Sequence, residues 1–117
     1  MPITDSLQDR FEAAIERDDP FELQRVILEV AHEAENREWA EVCCARLTRH
    51  RNANVRGNAL HGLGHLARRF GQLDRRRVQR LIEIGLHAHN EVVRAGAESA
   101  AEDAETYLAW SFERARE

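Results

Sequence analysis

Hydrophobic residues recur at helical spacing in six segments of the chain, separated by short polar stretches. Apolar side chains three or four positions apart lie on one face of a helix, so the pattern predicts six amphipathic helices and no strand. The first, third and fourth helices are predicted over about residues 4–17, 37–50 and 53–70. The second begins at Pro20, and the fifth and sixth follow Asp74 and Asn90.

Polar residues suited to helix caps stand at these boundaries. Asp19 precedes Pro20, which fits the first position of a helix, and Glu22 completes a capping-box pattern. Gly71 is placed to end the fourth helix. The other predicted N-caps are Asn36, Asn52, Asp74 and Asn90.

The inward faces follow from the same spacing. On the third helix the pattern places Trp39, Val42, Cys43 and Leu47 in the core. On the fourth helix the predicted core positions are Val55, Ala59, Gly62, Leu63, Leu66 and Phe70. Because the connections are short, successive helices are expected to be antiparallel.

Residues 36–70 recur 38 positions later as residues 74–108. A period of this length is typical of helical solenoids, in which neighbouring units share one core. The matched positions are Asn52 with Asn90, Val55 with Val93, Arg56 with Arg94, and Ala59 with Ala97. We therefore predict an all-α fold, an α-α superhelix of about three antiparallel helix pairs. It forms a single domain over 1–117, with a divergent N-terminal pair at 1–35 and repeats at 36–73 and 74–111.

The formal net charge is −4, and the charge is unevenly distributed. Residues 1–41 carry about −8, residues 42–90 about +8 and residues 91–117 about −4, and every basic residue is an arginine. No apolar run reaches the roughly 20 residues of a membrane helix, and the start lacks the regions of a secretory signal. We therefore expect a cytoplasmic protein without a membrane partner.

The pattern Asn-x-x-Val-Arg-x-x-Ala, present at 52–59 and at 90–97, resembles the second helix of HEAT repeats. The resemblance covers two copies and implies a HEAT-like superhelix that binds other proteins. In that family the arginine usually bridges to a neighbouring repeat, which favours a structural role for Arg56 and Arg94. The second helices of HEAT repeats line the concave surface, so the resemblance implies that this surface binds the partner.

A narrower resemblance involves residues 55–71 and the second Val-Arg copy. They are similar to small bacterial HEAT-like proteins, some of which are immunity proteins that bind and block a toxin. This resemblance implies a toxin domain as the partner. A generic HEAT-type adaptor in a larger assembly is the alternative, and the oligomeric state stays open.

A polar stripe on the fourth and sixth helices is the candidate partner-binding site. A helical projection places it away from the apolar face. Its members are Asn54, Asn58, His61, His65, Arg68, Glu98, Ser99, Glu102, Asp103 and Thr106. The spacing of His61 and His65 also suits a metal ion, with Asp103 as a third ligand if the helices are adjacent. Two histidines leave a site incomplete, so no metal is assigned.

Other chemistry is less favoured. Six arginines near the fourth and fifth helices are candidates for phosphate contacts, but no aromatic residue is interleaved with them and the chain is acidic, so nucleic acid is an unlikely partner. Adjacent Cys43 and Cys44, with His50 nearby, suggest a nucleophile, yet they align with apolar Leu81 and Ile82. The sequence therefore predicts neither an enzyme nor a cofactor.

Overall fold

The computed structural model describes residues 6–113, and these form six helices connected by short loops. The helices are α1 (Leu7–Arg17), α2 (Pro20–Glu33), α3 (Arg37–Leu47), α4 (Ala53–Phe70), α5 (Arg75–Leu86) and α6 (Glu91–Leu108). No strand occurs within this range. The predicted all-α fold is confirmed. The predicted start of the first helix at residue 4 lies outside the described residues, and α3 ends at Leu47 rather than at residue 50.

The helices form two layers. In one layer α4 packs against α2 on one side and α6 on the other, with all three parallel. The other layer contains α1, α3 and α5, each paired with the helix that follows it. We call the outer surfaces of these layers the α2–α4–α6 face and the α1–α3–α5 face.

Capping residues fix the starts of α2 to α6 as the sequence predicts, and Ser6, which was not predicted, caps α1. The side chains of Asn52 and Asn90 each accept two backbone N–H groups of the following turn, at 2.9 and 3.1 Å. Gly71 ends α4 with a left-handed φ of 66°. The carboxylate of Glu22, predicted to complete a capping box, instead forms an ion pair with Arg17.

Buried apolar residues form one core that runs through all six helices. Leu63 and Leu66 have no exposed surface, as their predicted positions require. Val42 is a wrong prediction, because 49% of its side chain is exposed. Its neighbour Glu41 is fully buried instead: its carboxylate accepts the Asp74 backbone N–H at 3.0 Å and forms an ion pair with Arg37. This contact between α3 and the start of α5 therefore determines which side of α3 faces the core.

The matched arginines of the two repeats bind loops of their own repeat. Arg56 donates hydrogen bonds to the carbonyl oxygens of His50 and Arg51, both at 2.9 Å. Arg94 makes the same two bonds to Ala88 and His89 at 2.8 Å. Their structural role agrees with expectation, but these bonds lie within a repeat rather than between neighbouring repeats.

Contacts between repeats come from other residues. Asp18, at the end of α1, forms an ion pair with Arg51 and lies 2.6 Å from Nε2 of His50. Nδ1 of His50 accepts the backbone N–H of Asn52 at 3.0 Å, so Nε2 carries the proton that is donated to Asp18. These bonds hold the pKa of the Asp18 carboxyl below its usual value, with His50 as the main cause.

A short tail after α6 covers the end of the core. Trp110 is buried, its ring lies 5.7 Å from the guanidinium of Arg75, and Gln79 donates to the carbonyl oxygen of Ser111 at 3.2 Å. The tail therefore packs against α5 as well as α6.

Candidate functional site

The predicted polar stripe lies on one continuous surface, the α2–α4–α6 face, because α4 and α6 are adjacent and parallel. Its exposed members are Asn54, His61, Arg68, Glu98, Glu102 and Thr106, and its half-buried members are Asn58, His65, Ser99 and Asp103. The structure thus brings all ten residues onto two neighbouring helices.

His65 is less free than the sequence suggests. Its ring lies against that of His32 on α2, with 3.8 Å between the ring centroids. Burial lowers the pKa of His65, and the positive charges of His32, Arg68 and Arg69 lower it further, while Asp103 acts in the opposite direction. His65 therefore links α4 to α2 in its neutral form, and His61 is the exposed histidine of the pair.

Asp103 is held by α4. Its carboxylate accepts from Arg68 at 3.2 Å, and the Arg68 guanidinium also lies 5.7 Å from the ring centroid of Tyr107. A Cβ on Gly64 would lie 2.7 Å from Oδ2 of Asp103 and 2.9 Å from the Cα of Ala100, so the close approach of α4 to the α6 backbone needs the glycine. Across residues 6–113 no three His, Cys, Asp or Glu side chains are grouped as metal ligands. The suggested site at His61, His65 and Asp103 is therefore not assembled.

The face extends onto α2, which the sequence analysis did not include. Phe21 and Leu28 of α2 are 78% and 39% exposed. With Gln24, Arg25 and Asn58 they line a shallow cavity of about 460 Å³. Both apolar side chains lie outside the buried face of α2. Apolar residues at these outward positions are the feature of the sequence that could have indicated a binding surface. Large apolar side chains at the surface are typical of interaction sites.

A row of carboxylates lies along α6. Glu91, Glu98, Glu102 and Glu105 are all exposed and follow one another at helical spacing. Arg94, the basic residue among them, is engaged with the preceding loop. The edge of the α2–α4–α6 face is therefore negatively charged.

The two cysteines are buried in the core. Burial raises the pKa of the Cys43 thiol to about 12, and it raises the pKa of Cys44 as well. Since the thiolate is the nucleophilic form, neither residue has the properties of a catalytic cysteine.

The arginines near the turn between α4 and α5 support the fold in several places. Arg69 donates to the carbonyl oxygens of Ala31 and Ala34 at 2.9 and 2.8 Å, which satisfies the end of α2. Arg68 pairs with Asp103, and Arg75 lies against Trp110. Arg77 pairs with Glu41 and Asp74, so four of the six arginines make separate structural contacts.

A family model described as HEAT repeats matches residues 9–102. Proteins of this kind generally act as scaffolds for protein interactions and are typically not enzymes. Searches of curated proteins and of solved structures found no match. Between residues 6 and 113, no helix has the length and apolar character required to cross a membrane.

Proposed function

Because this chain belongs to the HEAT-repeat family, we propose that it is a protein-binding module that docks a folded partner on its α2–α4–α6 face. The observation that carries the proposal is the exposed pair Phe21 and Leu28, which adjoin Asn58 in a cavity on that face. Apolar anchors next to adaptable polar side chains are the usual composition of an interface centre and its surroundings.

The partner that fits best is a toxin domain with a basic surface, which would make this chain an immunity protein. The exposed carboxylates of α6 support this proposal, because they would attract a basic enzyme such as a nuclease. Binding would block the active site by covering it. The chain needs no catalytic group for this role.

The test is co-expression with the product of each neighbouring gene that resembles a toxin, followed by isolation of the complex. We expect protection of the cell and a stoichiometric complex whose association slows as salt rises. The double variant Phe21→Ser with His61→Glu should weaken the complex at least about tenfold. Both side chains are exposed, so the fold should be retained, which circular dichroism can verify.

A matched control on the other face separates binding from general effects. Val42→Ser with Arg49→Glu changes one apolar residue of α3 and one basic residue of the turn after it, and should leave toxin affinity unchanged. Protection that survives in the α2–α4 variant, or a complex that forms equally well, would contradict docking on this face. Failure of the parent chain to bind or protect would contradict the immunity function.

An adaptor in a larger assembly is a second candidate. The observation that favours it is a further exposed apolar pair, Val42 and Ile84, on the opposite face. An adaptor would bind two proteins at once, whereas an immunity protein needs one. Isolation of a ternary complex would therefore favour the adaptor.

A further inference from the structure

A groove runs between α3 and α5 on the α1–α3–α5 face. The two helices touch at few positions, whereas α4 and α6 pack along most of their length. Val42 and Ala45 of α3 and Leu81 of α5 line a cavity of about 420 Å³ in this groove. A second cavity of about 220 Å³, which includes Leu81 and Ile84, continues it.

The apolar character of this groove differs from the equivalent position in the preceding repeat. Counted from the N-cap of each helix, Val42 occupies the place of Glu12, and Ile84 occupies the place of Arg46. Glu12 and Arg46 form an ion pair at 3.8 Å between α1 and α3. Between α3 and α5 this charged pair is replaced by Val42 and Ile84, which are 49% and 61% exposed. A surface that only needed to be soluble would not require two apolar side chains in place of a charged pair.

The rim of the groove is basic. Arg46, Arg49 and Arg77 line the first cavity, and Arg49 and Arg56 line the second, while no carboxylate lines either. Arg46 and Arg77 have carboxylate neighbours at 3.5 to 3.8 Å. Arg49 forms no ion pair with any residue from 6 to 113. Arg49 is exposed and lines both cavities, so its charge is available to a ligand.

We propose that this groove binds an acidic amphipathic helix of another protein. Leucine-like side chains of the ligand would fill the floor at Val42, Leu81 and Ile84, and carboxylates beside them would pair with the arginine rim. The apolar floor disfavours nucleic acid, since no aromatic side chain lines the groove for base stacking. The proposal concerns the face opposite to the proposed docking site and does not depend on it.

The probe is a designed alanine-based helical peptide of about 18 residues, with leucines at positions i, i+3 and i+7 and glutamates only at the positions that flank this apolar face. A second peptide carries glutamine in place of each glutamate. We expect the acidic peptide to bind with a Kd below about 100 µM and to shift the NMR methyl signals of Val42, Leu81 and Ile84. The glutamine peptide should bind at least about tenfold more weakly.

Variants locate the site. Arg49→Glu with Ile84→Ser should weaken acidic-peptide binding at least about tenfold, whereas the matched pair Arg25→Glu with Phe21→Ser on α2 should leave it unchanged. All four side chains are exposed, so the variants should fold. Equal binding by the groove variant, or methyl shifts confined to other residues, would overturn the proposal.

Two further outcomes would assign the groove to another occupant. Sedimentation velocity should show that the parent chain does not dimerise through the groove. A dimer that is lost in the groove variant would instead make the groove a contact between copies of this chain. A single-stranded DNA oligonucleotide should not displace the peptide at equal concentration. Displacement would indicate a polyanion site and contradict the proposal.

Discussion

Gly57 and Gly96 face each other across α4 and α6 so closely that a Cβ on Gly96 would lie 2.5 Å from the Gly57 carbonyl oxygen. The contact brings the two helix backbones together at one point of the α2–α4–α6 layer. It explains why residue 96 is glycine inside a helix, where glycine normally costs about 1 kcal/mol relative to alanine. A Cβ on Gly57 would instead lie 3.0 Å from the carbonyl oxygen of Val92.

Gly96→Ala should therefore destabilise the protein, although alanine is the better helix former. We expect a loss of about 1–3 kcal/mol in the free energy of unfolding, because the added methyl group forces the helices apart. Denaturant unfolding measures it. Ala95→Ser adds one atom on the exposed side of α6 and should change stability by less than about 0.5 kcal/mol. An unchanged or raised stability of Gly96→Ala would show that the backbones are not in contact.

Leu66→Ala should lower the free energy of unfolding by about 2–5 kcal/mol, because the side chain is fully buried and its removal leaves a cavity. Leu63→Ala should behave alike. Val42→Ala, at a position half exposed, should cost about 1 kcal/mol or less. Urea melts measure both changes. Similar losses of stability in Leu66→Ala and Val42→Ala would indicate that Val42 is buried, which would contradict the orientation of α3.

Arg94→Ala should lower the free energy of unfolding by about 1–3 kcal/mol, since two loop carbonyl groups lose a charged donor. The exposed Arg76 has no described ion pair, so Arg76→Ala is the control and should change stability by less than about 0.5 kcal/mol. Thermal and denaturant melts compare the two. Equal stability of both variants would remove the structural role assigned to Arg94.

The lowered pKa of His65 predicts a pH dependence of stability. The folded state favours the neutral ring, so the unfolded chain binds the proton first as pH falls below about 6.5. This contribution to stability is therefore complete above that pH and declines below it, towards the pKa of the folded state. His65→Gln should reduce the decline. Melts from neutral to mildly acidic pH measure the effect.

The cause of the shift is separately testable. His32→Gln removes one neighbouring positive charge, so an NMR titration of the His65 ring should show a higher pKa than in the parent. Burial is the larger cause, and the value should stay below that of a free histidine. A lower pKa in His32→Gln would contradict the assigned interaction.

Local signals explain what the sequence predicted correctly. The caps Asn52 and Asn90 and the stop at Gly71 depend on residues within one turn, and the structure confirms them. The sequence placed Val42 in the core, but the structure buries Glu41 and exposes Val42. The burial of the Glu41 carboxylate depends on its contact with the start of α5, more than 30 positions away. The site predicted from the sequence consists of polar residues and therefore lacks Phe21 and Leu28 of α2. Their neighbours become known only when α2 and α4 are packed together.

The tail after α6 contacts α5 at a position equivalent to one that joins the preceding repeats. Gln79 occupies in α5 the position that Glu41 occupies in α3. The Glu41 carboxylate accepts the N–H at the start of the next helix pair, whereas the Gln79 amide donates to the Ser111 carbonyl of the tail. The same side-chain position thus joins two helix pairs in one repeat and holds the tail in the next. A designer who wished to stack another helix pair directly on α5 and α6 would replace Trp110, which is buried at the end of the core, and restore a carboxylate at position 79.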